Sequence, residues 1–167
     1  MPRDEKDRVK VRLVSRLAHE REPKLSVQIT MLVSRIARFE FPTEWPSVLY
    51  DLFGIFKQIE GREDFTASSK RLFMAMNQVV KTLSSKTIPA CRLALTQVAP
   101  EIFHGLFPIF KDSAGHFIAN GGSTNDTNGT GQVAFYALKT LYRLMIFSGN
   151  DNISSDSMQV HTYTKIC

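Results

Sequence analysis

The sequence predicts an all-α fold built as a repeating stack of antiparallel helix pairs, and three observations carry that expectation. An apolar stripe with helical spacing recurs every twenty residues, equivalent stripes stand forty residues apart, and prolines and glycines fall in the gaps between them. Leu25, Ile29, Leu32, Ile36 and Phe39 step by four and three, which sets five side chains on one face of a helix. Twenty residues on stand Trp45, Leu49, Leu52, Phe56 and Ile59. Forty residues on stand Phe65, Ser69, Leu72, Met76 and Val79, with Leu83 continuing the line. A helix pair every forty residues falls in the period of about 40–47 residues of HEAT-type solenoids, whose pairs bury their faces only against neighbours. The ends of such an array stay apolar, so low stability is expected of the isolated chain.

The punctuation sets the elements in order. Pro2 or Asp4 opens a first helix over 4–19, with Val9, Leu13 and Leu17 as its ridge, and Glu22-Pro23 closes it because the residue before proline avoids the α region. Pro23 starts a second helix over 24–40, which Phe41-Pro42 stops. Thr43 is a good N-cap for a third helix over 44–60, with Pro46 in its first turn, where the missing N–H costs nothing. Gly61 ends it. Asp64 caps a fourth helix over 64–84, and Pro89 opens a fifth over 89–110, with Leu95, Val98, Ile102 and Leu106 in period. Pro100 and Pro108 each remove an internal hydrogen bond, so a kink or break is expected there. Residues 112–131, rich in Gly, Asn, Ser and Thr, read as a flexible loop. A sixth helix follows over 132–149 on Ala134, Leu138, Leu141 and Met145, and 150–167 reads as a disordered tail.

Composition narrows the function classes. The 167 residues are 43% hydrophobic and 22% charged, enough to bury a core, and no run approaches eighteen apolar residues. The formal charge is +5, but residues 1–38 hold ten Lys/Arg and five Asp/Glu, so the excess lies there. Arg3, Lys6, Arg8, Lys10, Arg12 and Arg16 are interleaved with Asp4, Glu5 and Asp7, which weakens the field a nucleic acid would need; a solvated face is the reading. Cys91 and Cys167 are too few for a disulfide framework and suit a reducing compartment, cytosol or nucleus, and the charged N-terminus has no signal-peptide apolar run.

No motif points to catalysis. Gly121, Gly122, Gly129 and Gly131 lack the preceding strand and the following Gly-Lys-Ser/Thr of a phosphate loop. His19, His104, His116 and His161 stand far apart, without metal-ligand spacing, and Cys91 reads as a buried thiol. The sequons at Asn125, Asn128 and Asn152 read as loop composition. No enzyme, cofactor or metal is therefore expected. Pro42, Trp45 and Pro46 form a structural corner, a large ring filling the gap where two helices meet.

One stretch is more specific. Ile36-Ala37-Arg38-Phe39-Glu40-Phe41-Pro42-Thr43-Glu44-Trp45-Pro46, with Gln28 near the start of the helix before it, resembles the third repeat of importin-β-type nuclear transport receptors. Upstream, Glu5-Lys6 with Val9, Arg12 and Leu13 is similar to the preceding B helix of that family. The run Val80 to Lys86 and the later Ala137-Leu138-Lys139 most resemble its importin eleven branch. The resemblance implies a right-handed superhelix of HEAT repeats with A helices on the convex side and B helices on the concave side. Residues 4–19 are then an unpaired B helix, 24–60 and 64–110 two helix pairs, and 132–148 a lone A helix, a slice that begins mid-repeat. The implied partners are Ran GTPase, protein cargo and phenylalanine-glycine nucleoporins, and the implied location is the nucleus, cytoplasm and nuclear envelope. Ser47, Tyr50, Asp51 and Gln58, on the polar side of the third helix, are the candidate GTPase-contact face. The rival expectations are a HEAT scaffold unrelated to transport and a basic helical protein that binds nucleic acid.

Overall fold

The computed structural model describes residues 3–85, 87–122 and 129–147. Among them lie six helices and no strand: α1 (Arg3–His19), α2 (Pro23–Glu40), α3 (Val48–Ile59), α4 (Phe65–Ser84), α5 (Pro89–Ala119) and α6 (Thr130–Phe147). They form two layers, α2, α4 and α6 side by side in one and α1, α3 and α5 in the other. This is an all-α stack of the HEAT-repeat kind. Its centre is α4, which packs against all five other helices.

Helix boundaries follow the proline punctuation, with two revisions. Pro23 occupies the first turn of α2, and the Glu22 carboxylate accepts from the Lys24 N–H. Phe41 then turns extended before Pro42, and the Phe41-Pro42 peptide is cis. The next helix does not start at Thr43. The Glu44 and Trp45 N–H groups both donate to the Glu40 carbonyl, which holds 41–47 in turns, and the residue before Pro46 is barred from the α region, so α3 begins at Val48 with Ser47 as its cap residue. The second revision concerns α5, which passes Pro100 and Pro108 without ending and continues to Ala119, eight residues into the expected loop. Burial explains it: Leu95, Ala99, Ile102, Phe103, Leu106, Phe110 and Ala114 keep one side inward, and that area offsets the ~3 kcal/mol an interior proline costs. The stop comes at Gly121 and Gly122, both at positive φ. By length and composition α5 could also cross a membrane, yet this inward row packs on α3, α4 and α6 as in a core helix. Residue 86, residues 123–128 and the tail 148–167, with His161, Cys167 and the three sequon asparagines, lie outside the described residues.

The expected stripes are buried on α3 and α4. Trp45, Leu49, Leu52, Phe56 and Ile59 are buried, as are Ser69, Leu72, Met76, Val79 and Leu83, and the Phe56 and Phe73 rings meet at 4.7 Å between centroids. On α2 the expectation fails. Its inward face is Ser26, Ile29, Thr30, Val33, Ser34 and Ala37, while Leu25 and Leu32 are exposed and Phe39 is 82% exposed. Small residues dominate this inward face of α2, which packs beside α4. Pairing also differs from the expected 24–60 unit: α3 packs along α4, and α2 and α3 are joined at their corner rather than along their length.

Candidate functional site

The corner between α2 and α3 is built around Trp45, which is buried, and Lys10, which reaches it from α1. Lys10 falls at the position before Val14 and Leu17 on the inward side of α1, so it is drawn into the core instead of lying on the solvated face expected for it. Its ammonium pairs with Glu40 at 2.5 Å and Asp7 at 3.1 Å, donates to the Glu44 carbonyl at 3.1 Å, and stands 5.6 Å from the centre of the Trp45 ring. Burial works against this charge, but the hydrogen bonds and charges of Glu40 and Asp7 outweigh it and raise the Lys10 pKa above the ordinary lysine value. Lys6 adds a looser pair with Glu44 at 3.5 Å. Three helices thus converge on one indole.

The indole fixes the start of the candidate face in turn. Trp45 Nε1 donates to Asp51 Oδ2 at 2.7 Å, and Ser47 Oγ donates to the same oxygen at 3.1 Å. Asp51 thus holds the corner together, and Ser47 is engaged with it. Tyr50, one position earlier, donates through its hydroxyl to Glu101 of α5 at 2.7 Å and so ties neighbouring helices of one layer. That hydrogen bond, then burial, raises the Tyr50 pKa. Gln58 lies exposed one residue before the end of α3. Of the four face residues, three are joined to the corner or to α5: Ser47, Tyr50 and Asp51 form a polar ridge at the start of α3, and Gln58 stands apart from them near its end. Pro42 and Pro46 stand on either side of the buried Trp45 in the turn.

A second polar network, which sequence reasoning missed, closes the other end of α1. Ser68 Oγ and Arg71 Nη2 of α4 both donate to the Ala18 carbonyl, at 2.9 and 2.8 Å. Arg62 donates to Asp64 at 2.9 and 3.2 Å and to His19 Nε2 at 2.7 Å. Arg71 and Ser68 fill carbonyl positions that the last turn of a helix leaves open. Ser68 and Arg71 lie off the apolar stripe of α4, so the stripe pattern did not point to them. Among the described residues no cluster of His, Cys, Asp and Glu is placed to hold a metal ion.

No family model matches the chain, and no solved structure does. Two curated proteins do. The importin beta-like protein kap113 of Schizosaccharomyces pombe is 31% identical over 128 residues, 74% of this chain and 13% of that protein. The importin beta-like protein KAP120 of Saccharomyces cerevisiae is 30% identical over 156 residues, 93% of this chain and 15% of that protein. The chain spans about one seventh of the length of these relatives. Helices in two layers, a proline-flanked tryptophan corner and similarity along nearly the whole chain agree, and the chain belongs to the importin-β-like family.

Proposed function

We propose that the chain serves as part of a nuclear transport receptor: its helices form a section of a longer solenoid, and the α3 ridge contributes to recognition of Ran GTPase. The observation that carries this reading is the similarity to two importin beta-like proteins over 74% and 93% of the chain, which includes the Trp45 corner. Recognition without catalysis suits a helical stack, since nearest-neighbour contacts let its curvature respond to a partner. Protein cargo would meet the same layer further along the array, and phenylalanine-glycine nucleoporins would meet the outer helices. Residence is then in nucleus and cytoplasm, with passage through the nuclear envelope.

The proposed ridge is Ser47, Tyr50, Asp51 and Gln58. Because Asp51 also holds Trp45 and Ser47, replacing it tests corner and contact together, so Gln58→Lys is the cleaner probe. Immobilised chain is expected to retain Ran loaded with GTP over Ran loaded with GDP, and Gln58→Lys to lower that retention without changing the circular-dichroism melt. Equal retention of both nucleotide states would count against a Ran-contact role for these helices.

A further inference from the structure

We propose that Asn120 is a site of spontaneous deamidation, at which the exposed end of α5 converts to aspartate and isoaspartate and loses its helix stop. The reaction belongs to the chain's own backbone and stands apart from the transport reading.

Asn120 is the C-cap residue of α5 and is followed by Gly121 and Gly122, and all three are exposed. Gly121 lies at φ +85° and Gly122 at φ +59°, and nothing stands within 4 Å of the position a Cβ of Gly121 would take. The Gly121 N–H donates to the Ile118 carbonyl at 3.0 Å and the Gly122 N–H to the Phe117 carbonyl at 3.1 Å, the two bonds that close a helix through a left-handed glycine. With no side chain on residue 121, only this closure guards the peptide nitrogen that follows Asn120. Asn77, the other asparagine among the described residues, is placed in the opposite way. It is half-buried inside α4, is followed by Gln78, and its Oδ1 accepts from Arg143 Nε at 3.2 Å. The helical ladder on both sides holds the Gln78 nitrogen in place.

The chemistry needs water and nothing else from outside. The Gly121 nitrogen gives up its proton to solvent and attacks Asn120 Cγ; the N–Cγ bond forms, the Cγ–Nδ2 bond breaks, and Nδ2 leaves as ammonia with a proton from water. The five-membered imide that results then takes up one water. Opening at Cγ leaves aspartate in the normal chain, and opening at the backbone carbonyl leaves isoaspartate, whose chain runs through Cβ and Cγ. To begin, ψ of Asn120 must leave its value of 19° and the Gly121 N–H must release Ile118. Opening of a terminal turn costs little, whereas opening the middle of α4 costs most of the global stability. Either product places a carboxylate at the negative end of α5, and isoaspartate also lengthens the backbone between the helix and its two closing N–H groups, so the last turn unwinds.

The test is incubation of the 167-residue chain at physiological temperature and mildly alkaline pH, followed by peptide mapping. Trypsin releases residues 112–139 as one peptide, and fragmentation within it sites the gain of about 1 Da. Gain at Asn120 is expected at least about tenfold faster than at Asn77. The aged chain should melt lower and exchange its amide hydrogens faster over 117–122, Asn120→Asp should show a smaller change because it adds the charge without lengthening the backbone, and Asn120→Gln should keep its melt on ageing. Gain confined to Asn125, Asn128 or the asparagines of the tail would overturn the proposal, as would gain at Asn120 seen only in urea. An Asn120→Gln chain that loses its melt and its exchange protection as fast as the parent would remove the helix stop from the consequences and overturn it equally.

Discussion

Helices α2 and α4 carry the same apolar stripe forty residues apart, and the structure treats them in opposite ways. On α4 the stripe residues Leu72, Met76 and Val79 are fully buried, because helices flank it on both sides within its layer and three more lie across it. On α2 the equivalent Leu32, Ile36 and Phe39 look outward or half outward, because within the layer only α4 lies beside it. Periodicity therefore reports what a helix is built to bury, and its neighbours determine what it does bury. In a solenoid the two differ at any helix without a neighbour on both sides.

Paired truncations should break this comparison if it is wrong. Leu72→Ala empties a site on the central helix and is expected to cost about 2–5 kcal/mol. Phe39→Ala removes a larger side chain from α2, and at 82% exposure is expected to stay within about 0.5 kcal/mol of the parent. Urea denaturation of both reads the difference. A Phe39→Ala cost approaching that of Leu72→Ala would mean that the α2 stripe is covered in solution, and its concentration dependence would show whether another copy covers it.

Glycine positions sharpen the same contrast between a closed seam and an open surface. At Gly105, where α5 meets Phe53, an added methyl group has no room, and Gly105→Ala is expected to cost about 1–3 kcal/mol through overpacking. At Gly54, on α3, nothing lies within 4 Å of the position a Cβ would take, so Gly54→Ala should stabilise by about 0.5–1 kcal/mol through helix propensity alone. Thermal melts of the two variants should move in opposite directions. Movement in the same direction would show that Phe53 swings aside and that the seam is softer than it looks.

Much of the architecture was legible in the residues, and the misses have physical causes. Helix starts at Pro23 and Pro89 and the interruption at Phe41-Pro42 follow from proline's fixed φ and missing donor, which act locally and so show in sequence. The passage of α5 through Pro100 and Pro108 was not legible, because the local cost is offset by burial against α3, α4 and α6, helices remote in sequence. Small polar residues on the inward face of α2 were missed for the same reason: Ser26, Thr30 and Ser34 look like surface residues until α4 is beside them. Lys10 shows the limit for the site. Its charge reads as solvated, and only the fold reveals Glu40 and the Trp45 ring beside it. That Asp51 accepts from the Trp45 indole could not be read from a spacing of six.

The smallest effect concerns the polar ties that hold α1 to the rest of the stack. Glu20 accepts from the Glu22 N–H at 3.0 Å and from Arg16 Nε at 3.1 Å, which close the α1–α2 turn; the Glu22 hydrogen bond is the main reason its pKa lies below the ordinary glutamate value of 4.5. Burial pushes Asp64 upward, but hydrogen bonds from Ser68 and Arg62 prevail and hold it below the ordinary 3.8. A lowered folded-state pKa means that the stabilisation is fully present above the unfolded value and is lost as pH falls through the folded one. Both carboxylates should therefore contribute evenly from pH 7 to 5 and fail progressively below about pH 4.5. Glu20→Gln is expected to lower the urea midpoint slightly at pH 7, and the gap to the parent to narrow as pH falls through the folded-state pKa of Glu20, which lies below 4.5. A gap that stays constant as pH falls would assign Glu20 a packing role at the α1–α2 turn, and the contrast between α2 and the α4 core would then rest on apolar contacts alone.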